Sequence, residues 1–174
     1  MLRYMRATLN NGLRTIVNED RSTPLVALNI LYNAGSKFED KNATGIAHMA
    51  EHLMFSGTKN ITDPDKYIQS AGGEMNAFTN NDIAVYYITI PFNNIETALW
   101  IESDRMKGID INKEKFEREK SVVAEEYKLR FLNVPYGDAY HLLRNLAYKK
   151  HPYRWPAIGN DIKHITGMDI KDVT

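Results

Sequence analysis

His48 and His52 stand four residues apart with Glu51 between them, in the segment His48-Met49-Ala50-Glu51-His52. On a helix, side chains four apart share a face, so two imidazoles at this spacing can reach one metal ion. Glu51 follows His48 by three positions and sits at the edge of the same face. Its carboxylate can reach a water that the metal activates without itself binding the metal. The order H-x-x-E-H is one that zinc hydrolases use. With 5 His in 174 residues, chance produces this arrangement in roughly one chain in a hundred. The competing reading is two exposed imidazoles on an amphipathic helix.

A catalytic zinc takes three protein ligands and keeps one position open. The chain has no Cys, so the third ligand must be His, Asp or Glu. Glu114, Glu117, Glu119, Glu125 and Glu126 lie on one charged stretch with helical character. Glu119 and Glu126 are two turns apart and share a face, while Glu125 is turned about 100° from Glu126. Spacing alone does not choose among these carboxylates, and most of them read as a solvated helix surface.

The elements that must position these groups read as follows. Met5–Leu9 and Leu13–Asn18 flank Asn10-Asn11-Gly12, a hairpin signal. Leu25–Tyr32 is apolar enough for a buried strand. Thr44 is the expected N-cap of the helix over 45–55 that carries the two His, with Ile46, Met49, Leu53 and Met54 near one side. Asp63-Pro64 opens a short helix that stops at Ala71-Gly72-Gly73. Glu74–Thr79 and Ile83–Ile90 form a second hairpin, in which Phe78 reads either as core or as site. Asn94–Lys107 is helical, with Ile95, Leu99, Ile101 and Met106 available for packing. Asn112–Leu132 is the longest helical candidate, broken by Pro135 and Gly137. A helix over 138–148 follows, then a Pro-rich loop over 151–159, and Thr166 is expected to cap a last helix starting near Met168. His141 and His164 lack a partner pattern and read as structural or exposed; His151, in the Pro-rich loop, reads as structural, with packing near the site as the alternative. Hairpins mixed with helices imply an α+β class, mostly antiparallel sheet packed against helices, in a single domain over 1–174.

Composition excludes other functions. Lys plus Arg and Asp plus Glu are 22 each, a net charge of zero, where a nucleic-acid binder shows a basic excess. The longest apolar run, Ile83 to Ile88, has six residues, against ~20 for a membrane span. No nucleic-acid or membrane partner is expected. The balance points to a soluble chain in the cytoplasm, with an organelle matrix as the alternative.

Several segments together resemble the pitrilysin/insulinase family of zinc metallopeptidases, which includes the mitochondrial processing peptidases. They are Asn11-Gly12-Leu13-Arg14, Tyr32-Asn33-Ala34-Gly35-Ser36, His48 to Thr58, Gly72-Gly73-Glu74-Met75-Asn76-Ala77-Phe78-Thr79, Glu119 to Glu126, and His151-Pro152-Tyr153. The resemblance implies the processing-peptidase type of metallohydrolase fold and a zinc-dependent endopeptidase. By resemblance, His48, His52 and Glu126 bind one zinc ion, Glu51 is the general base, and Glu119 is a carboxylate supporting the site. Asn76, Ala77 and Phe78 line the place where an extended peptide or unfolded segment adds to a strand edge. Family enzymes close two homologous halves, or two subunits, around the peptide, so the chain is expected to be an N-terminal fragment whose activity needs the distal half. A non-catalytic structural or interaction subunit of the same fold is the alternative.

Overall fold

The structure is a computed structural model and describes residues 3–173. Two antiparallel sheets form. β1 (Met5–Thr8) pairs with β2 (Arg14–Val17) in a hairpin of its own. Gly12 in its turn has φ +88°, the left-handed conformation that favours glycine. The larger sheet has the order β3 (Leu25–Tyr32), β5 (Ala84–Pro91), β4 (Glu74–Thr79). β5 is therefore the central strand, and it carries Ala84, Val85, Tyr86, Ile88 and Ile90 into the interior.

β3 is not the buried strand its composition suggests. It is an edge strand in which Val26, Leu28, Ile30 and Tyr32 are half-buried while Leu25, Ala27, Asn29 and Leu31 are exposed. Burial follows sheet position, and a run of apolar residues does not encode that position.

Two apolar clusters hold the helices. In one, α2 (Pro64–Ser70) and α3 (Ile95–Arg105) cover the sheet through Ile68, Ala98 and Ile101 against Ile88 and Ile90. Leu99 of α3 and Met106 just after it, expected to pack, are exposed, whereas the charged Glu102, Asp104 and Arg105 are buried. In the other, α1 (Ile46–Leu53) packs on α4 (Lys113–Tyr127): Met49 and Leu53 bury against Phe116, Val123, Ala124 and Tyr127. Ile158, Ile165 and Met168 close this cluster from the C-terminal side.

Helix starts and stops follow local chemistry in some places only. Asp63 and Asn112 cap α2 and α4 by accepting from Lys66 N–H and Lys115 N–H. Thr44 does not cap α1. Its hydroxyl is buried and engaged with His164 Nδ1 (2.8 Å) and Asn160 N–H (2.8 Å). Thr166 likewise ends a helix rather than starting one: α6 (Ile162–Thr166) is capped by Asp161, and a short 3-10 turn from Ile170 follows, capped by Asp169. After α4 the chain continues as a π-helical turn, Lys128–Leu132, before α5 (Ala139–Ala147). No helix among the described residues is long and apolar enough to cross a membrane.

Candidate metal centre and groove

The apolar seam between α1 and α4 places the polar groups. Met49 and Leu53 are four apart and fill the seam; His48 and His52 are the residues just before each, so they form the row along its flank. On α4, Phe116 and Val123 lie seven apart in the seam, and Glu119 and Glu126 each stand three positions further along, on the flank. Packing the two apolar rows therefore brings the imidazoles and carboxylates face to face.

The donors converge. One ligand atom from each of His48, His52 and Glu126 lies within 4.8 Å of the other two. Glu126 Oε2 is 3.3 Å from His52 Nε2 and 3.7 Å from His48 Nε2. His52 turns its other nitrogen, Nδ1, towards Glu119 Oε2 at 3.6 Å. The second oxygen of Glu126, Oε1, is held at 2.5 Å by Arg130, and Glu119 Oε1 accepts from Arg118 (3.1 Å). Two imidazole nitrogens and one carboxylate oxygen, with further carboxylates behind them, are a donor set suited to zinc. Glu125 faces away and pairs with Lys128; Glu114 and Glu117 are exposed.

Burial and neighbours split the two imidazoles. Burial pushes His48 down to about 4, opposed by Glu126 and reinforced by His52. Burial also lowers His52, but the hydrogen bond and charge of Glu126, with Glu51 and Glu119, outweigh it and raise it overall. Glu126 is lowered, chiefly by its bond with His52. His48 is thus neutral near pH 7, as a metal ligand must be. Its Nδ1 is buried without a hydrogen-bond partner.

Glu51 lines a groove of roughly 380 Å³ together with His48, Ala77, Phe78, Arg130 and Tyr140. Its Oε2 is buried and has no partner. The groove runs along β4, the other edge strand. There the Ala77 N–H is taken by Asn76 Oδ1 (2.8 Å) rather than by β5. Asn76 is exposed. Its residue points out of the alternating half-buried row of Met75, Ala77 and Thr79.

Three groove groups escape a reading of spacing. Arg130 stands four residues after Glu126, an i,i+4 relation visible in the sequence but unused. Phe131 is delivered by the π-helical turn. Arg144 binds Asn81 Oδ1, the carbonyls of Tyr153 and Trp155, and Tyr140 Oη, a convergence no local pattern announces. The remaining His make contacts within the fold: His141 packs on Phe131 and approaches Gly159 O, His151 accepts from Tyr153 N–H, and His164 Nδ1 meets the Thr44 hydroxyl.

An α+β scaffold here sets an H-x-x-E-H helix against a carboxylate-bearing helix, and three of their residues could hold a metal ion. Residues 14–152 match the family described as Insulinase (Peptidase family M16), and the chain belongs to that family. It is 37% identical to the zinc protease PqqE of Helicobacter pylori, over 97% of this chain and 39% of that protein. It is 30% identical to the mitochondrial-processing peptidase subunit beta of Saccharomyces cerevisiae, over 94% of this chain and 36% of that protein. A crystal structure of a protease from Helicobacter pylori superposes with a TM-score of 0.94 at 35% identity, over 99% of this chain and 42% of that one. The chain therefore spans about two fifths of the length of these relatives.

Proposed function

We propose that the chain carries the metal-binding half of a zinc-dependent endopeptidase that hydrolyses extended peptides. The observation that carries this reading is the convergence of His48, His52 and Glu126 beside Glu51, whose Oε2 is unpartnered and which lines a strand-edged groove. His48, His52 and Glu126 would hold the ion. Zinc bound there supplies Lewis acidity, which makes water more acidic and polarises a peptide carbonyl.

The chain's own residues do the rest. Glu51 accepts the proton of the attacking water at its free carboxylate oxygen and returns it to the leaving amine. Glu119 engages His52 Nδ1 and so leaves Nε2 for the metal. Arg130 occupies one oxygen of Glu126 and leaves the other for the ion. The outward-turned N–H of Ala77 can exchange its bond to Asn76 Oδ1 for a first ladder bond to a docking strand, and Phe78 offers a side-chain contact; backbone bonds bind and side-chain contacts select. Asn76 acts through that same N–H rather than by lining a pocket.

A second homologous half or subunit is part of the proposal. Its support is the span of two fifths, the word "subunit" in the name of the yeast relative, and the exposed Leu142, Leu143 and Leu146 on α5.

The test is metal content together with turnover. The purified chain should take up one zinc, and His52→Ala should weaken binding by more than ~100-fold, beyond what an outer partner costs. With the complementary half present, Glu51→Gln should keep zinc and lose ~100-fold or more in peptide cleavage. No zinc uptake by folded protein, or unchanged cleavage in Glu51→Gln, overturns the reading.

A further inference from the structure

The helix that carries both imidazoles has no cap of its own. Its N-cap residue, Gly45, is at φ +97° and makes no side-chain cap bond. A Cβ there would stand 2.7 Å from Ile158 O, so no side chain can occupy this position without displacing backbone. The neighbouring Thr44 is committed to His164 and Asn160. The free N–H groups of the first turn are instead satisfied from six residues back. Glu39 Oε2 accepts from Gly45 N–H (3.0 Å), and Oε1 accepts from Ala47 N–H (2.8 Å).

Glu39 is itself anchored. It follows a 3-10 turn, Ser36–Phe38, that is pinned to the tip of the β4–β5 hairpin. Ser36 N–H donates to Asn80 O (3.2 Å), Lys37 N–H donates to Asn81 O (2.9 Å), and Asn81 Nδ2 donates to Ser36 Oγ (2.7 Å). The indole N–H of Trp155 donates to Ser36 O (2.9 Å). A local Ser or Asp cap stabilises a helix without saying where it points. A two-oxygen clamp from a turn fixed to the hairpin also sets the direction and pitch of the helix relative to β4.

We propose that Glu39 is a positioning residue of the metal centre: by clamping the first turn of α1 to the turn pinned on the β4–β5 hairpin, it sets the orientation in which His48 and His52 meet Glu126. This rests on the metal reading above. The residue after Ala47 is His48, so rotation of the clamped turn moves the first imidazole directly. The clamp is held against a cost: burial pushes Glu39 up to about 7, although the N–H groups of Ala47 and Gly45 pull it down. A group kept in place despite its own desolvation is expected where position matters more than stability.

The experiment uses the purified 174-residue chain with two probes, zinc ions in competition with a chelator, and cobalt(II), whose visible absorption reports ligand geometry. Glu39→Gln keeps size but turns one acceptor into a donor facing an N–H. While the protein remains folded by circular dichroism, zinc affinity should fall about tenfold and the cobalt band should change in intensity. Ile68→Val, in the cluster under the sheet, should lower the melting temperature and leave both readouts unchanged. If Glu39→Gln does not fold, Glu39→Asp is measured instead; its carboxylate stops ~1.5 Å short and should shift both readouts in the same direction. Zinc affinity within twofold of wild type, with an unchanged cobalt band, overturns the inference and leaves the metal reading intact. Wild-type protein that takes up neither metal overturns the metal reading, and the inference with it.

Discussion

The molecule keeps charged groups in two interior places and treats them in opposite ways. Beside the α1–α4 seam, His48, His52, Glu119 and Glu126 are only part-buried or border a groove, and each faces a partner of opposite character. Under the sheet, Glu102 and Arg105 of α3 are 2% and 3% exposed. They approach each other only to 3.6 Å, and their charged atoms make no hydrogen bond. Arg105 instead lies over the rings of Phe55 and Tyr86, and burial raises Glu102 despite the nearby Arg105. The first cluster is open and its donor atoms converge, so an ion can complete it. The second is sealed, and an anion and a cation together present no common ligand set. Burial of charge alone does not mark a metal centre; convergence with access does.

The comparison can be broken by substitution, and the largest effect lies in the sealed cluster. Arg105→Ala leaves Glu102 buried and alone, and removal of one partner from a buried pair costs about 3–5 kcal/mol. Chemical denaturation should show that loss, while zinc affinity of the remaining folded protein stays at the wild-type value. A shared loss of zinc affinity would merge the two clusters into one functional unit.

A smaller effect separates them by pH. Glu39 has its folded value raised from the ordinary 4.5 to about 7, so the folded state holds this proton more tightly than the unfolded one. The sign follows: its contribution to stability is complete below about 4.5 and is lost as pH rises through about 7. The unfolding free energy of metal-free wild type, minus that of Glu39→Gln, should therefore fall by about 1–3 kcal/mol between pH 5 and pH 8. A difference that is flat or rises with pH would show that Glu39 is not held against its solvation.

The smallest effect is at the open rim. Arg130 is largely exposed, so Arg130→Ala should change stability by no more than about 1 kcal/mol. Zinc affinity should fall by a few-fold if the orienting contact of Arg130 on Glu126 Oε1 outweighs the relief of its charge repulsion on the ion. A loss as large as that of His52→Ala would make Arg130 part of the ligand scaffold rather than its support.

Much of the open site was legible in the sequence because its logic is helical. The four-residue step of His48 and His52 and the seven-residue step of Glu119 and Glu126 are local periodicities. The apolar rows beside them share the same periods, and packing those rows brings the polar rows together. Choosing Glu126 over its neighbours needed family resemblance, since five carboxylates share that stretch. Both hairpins were legible through Asn10-Asn11-Gly12 and Asn80-Asn81-Asp82. What escaped was tertiary. Thr44 had the right type for a cap and lost that role to contacts with residues more than a hundred positions away. Glu39 caps across a loop, a relation with no fixed spacing. The burial of Glu102 and Arg105 and the exposure of β3 depended on their places against and within the sheet. The outward turn of Asn76 follows from strand alternation, and which face of β4 is covered is set by the rest of the fold.

The bond from Ala77 N–H to Asn76 Oδ1 bears on which chains β4 can accept. An unpaired strand edge is a template for any extended backbone, including another copy of the protein. Here the first rung is already occupied by the strand's own side chain. An arriving backbone must displace a bond worth roughly 1 kcal/mol before it gains one. A segment long enough to form several rungs recovers that loss at once, whereas a short or kinked one does not. For the docking role proposed for β4, such an edge would discriminate by length and straightness before any side chain is read.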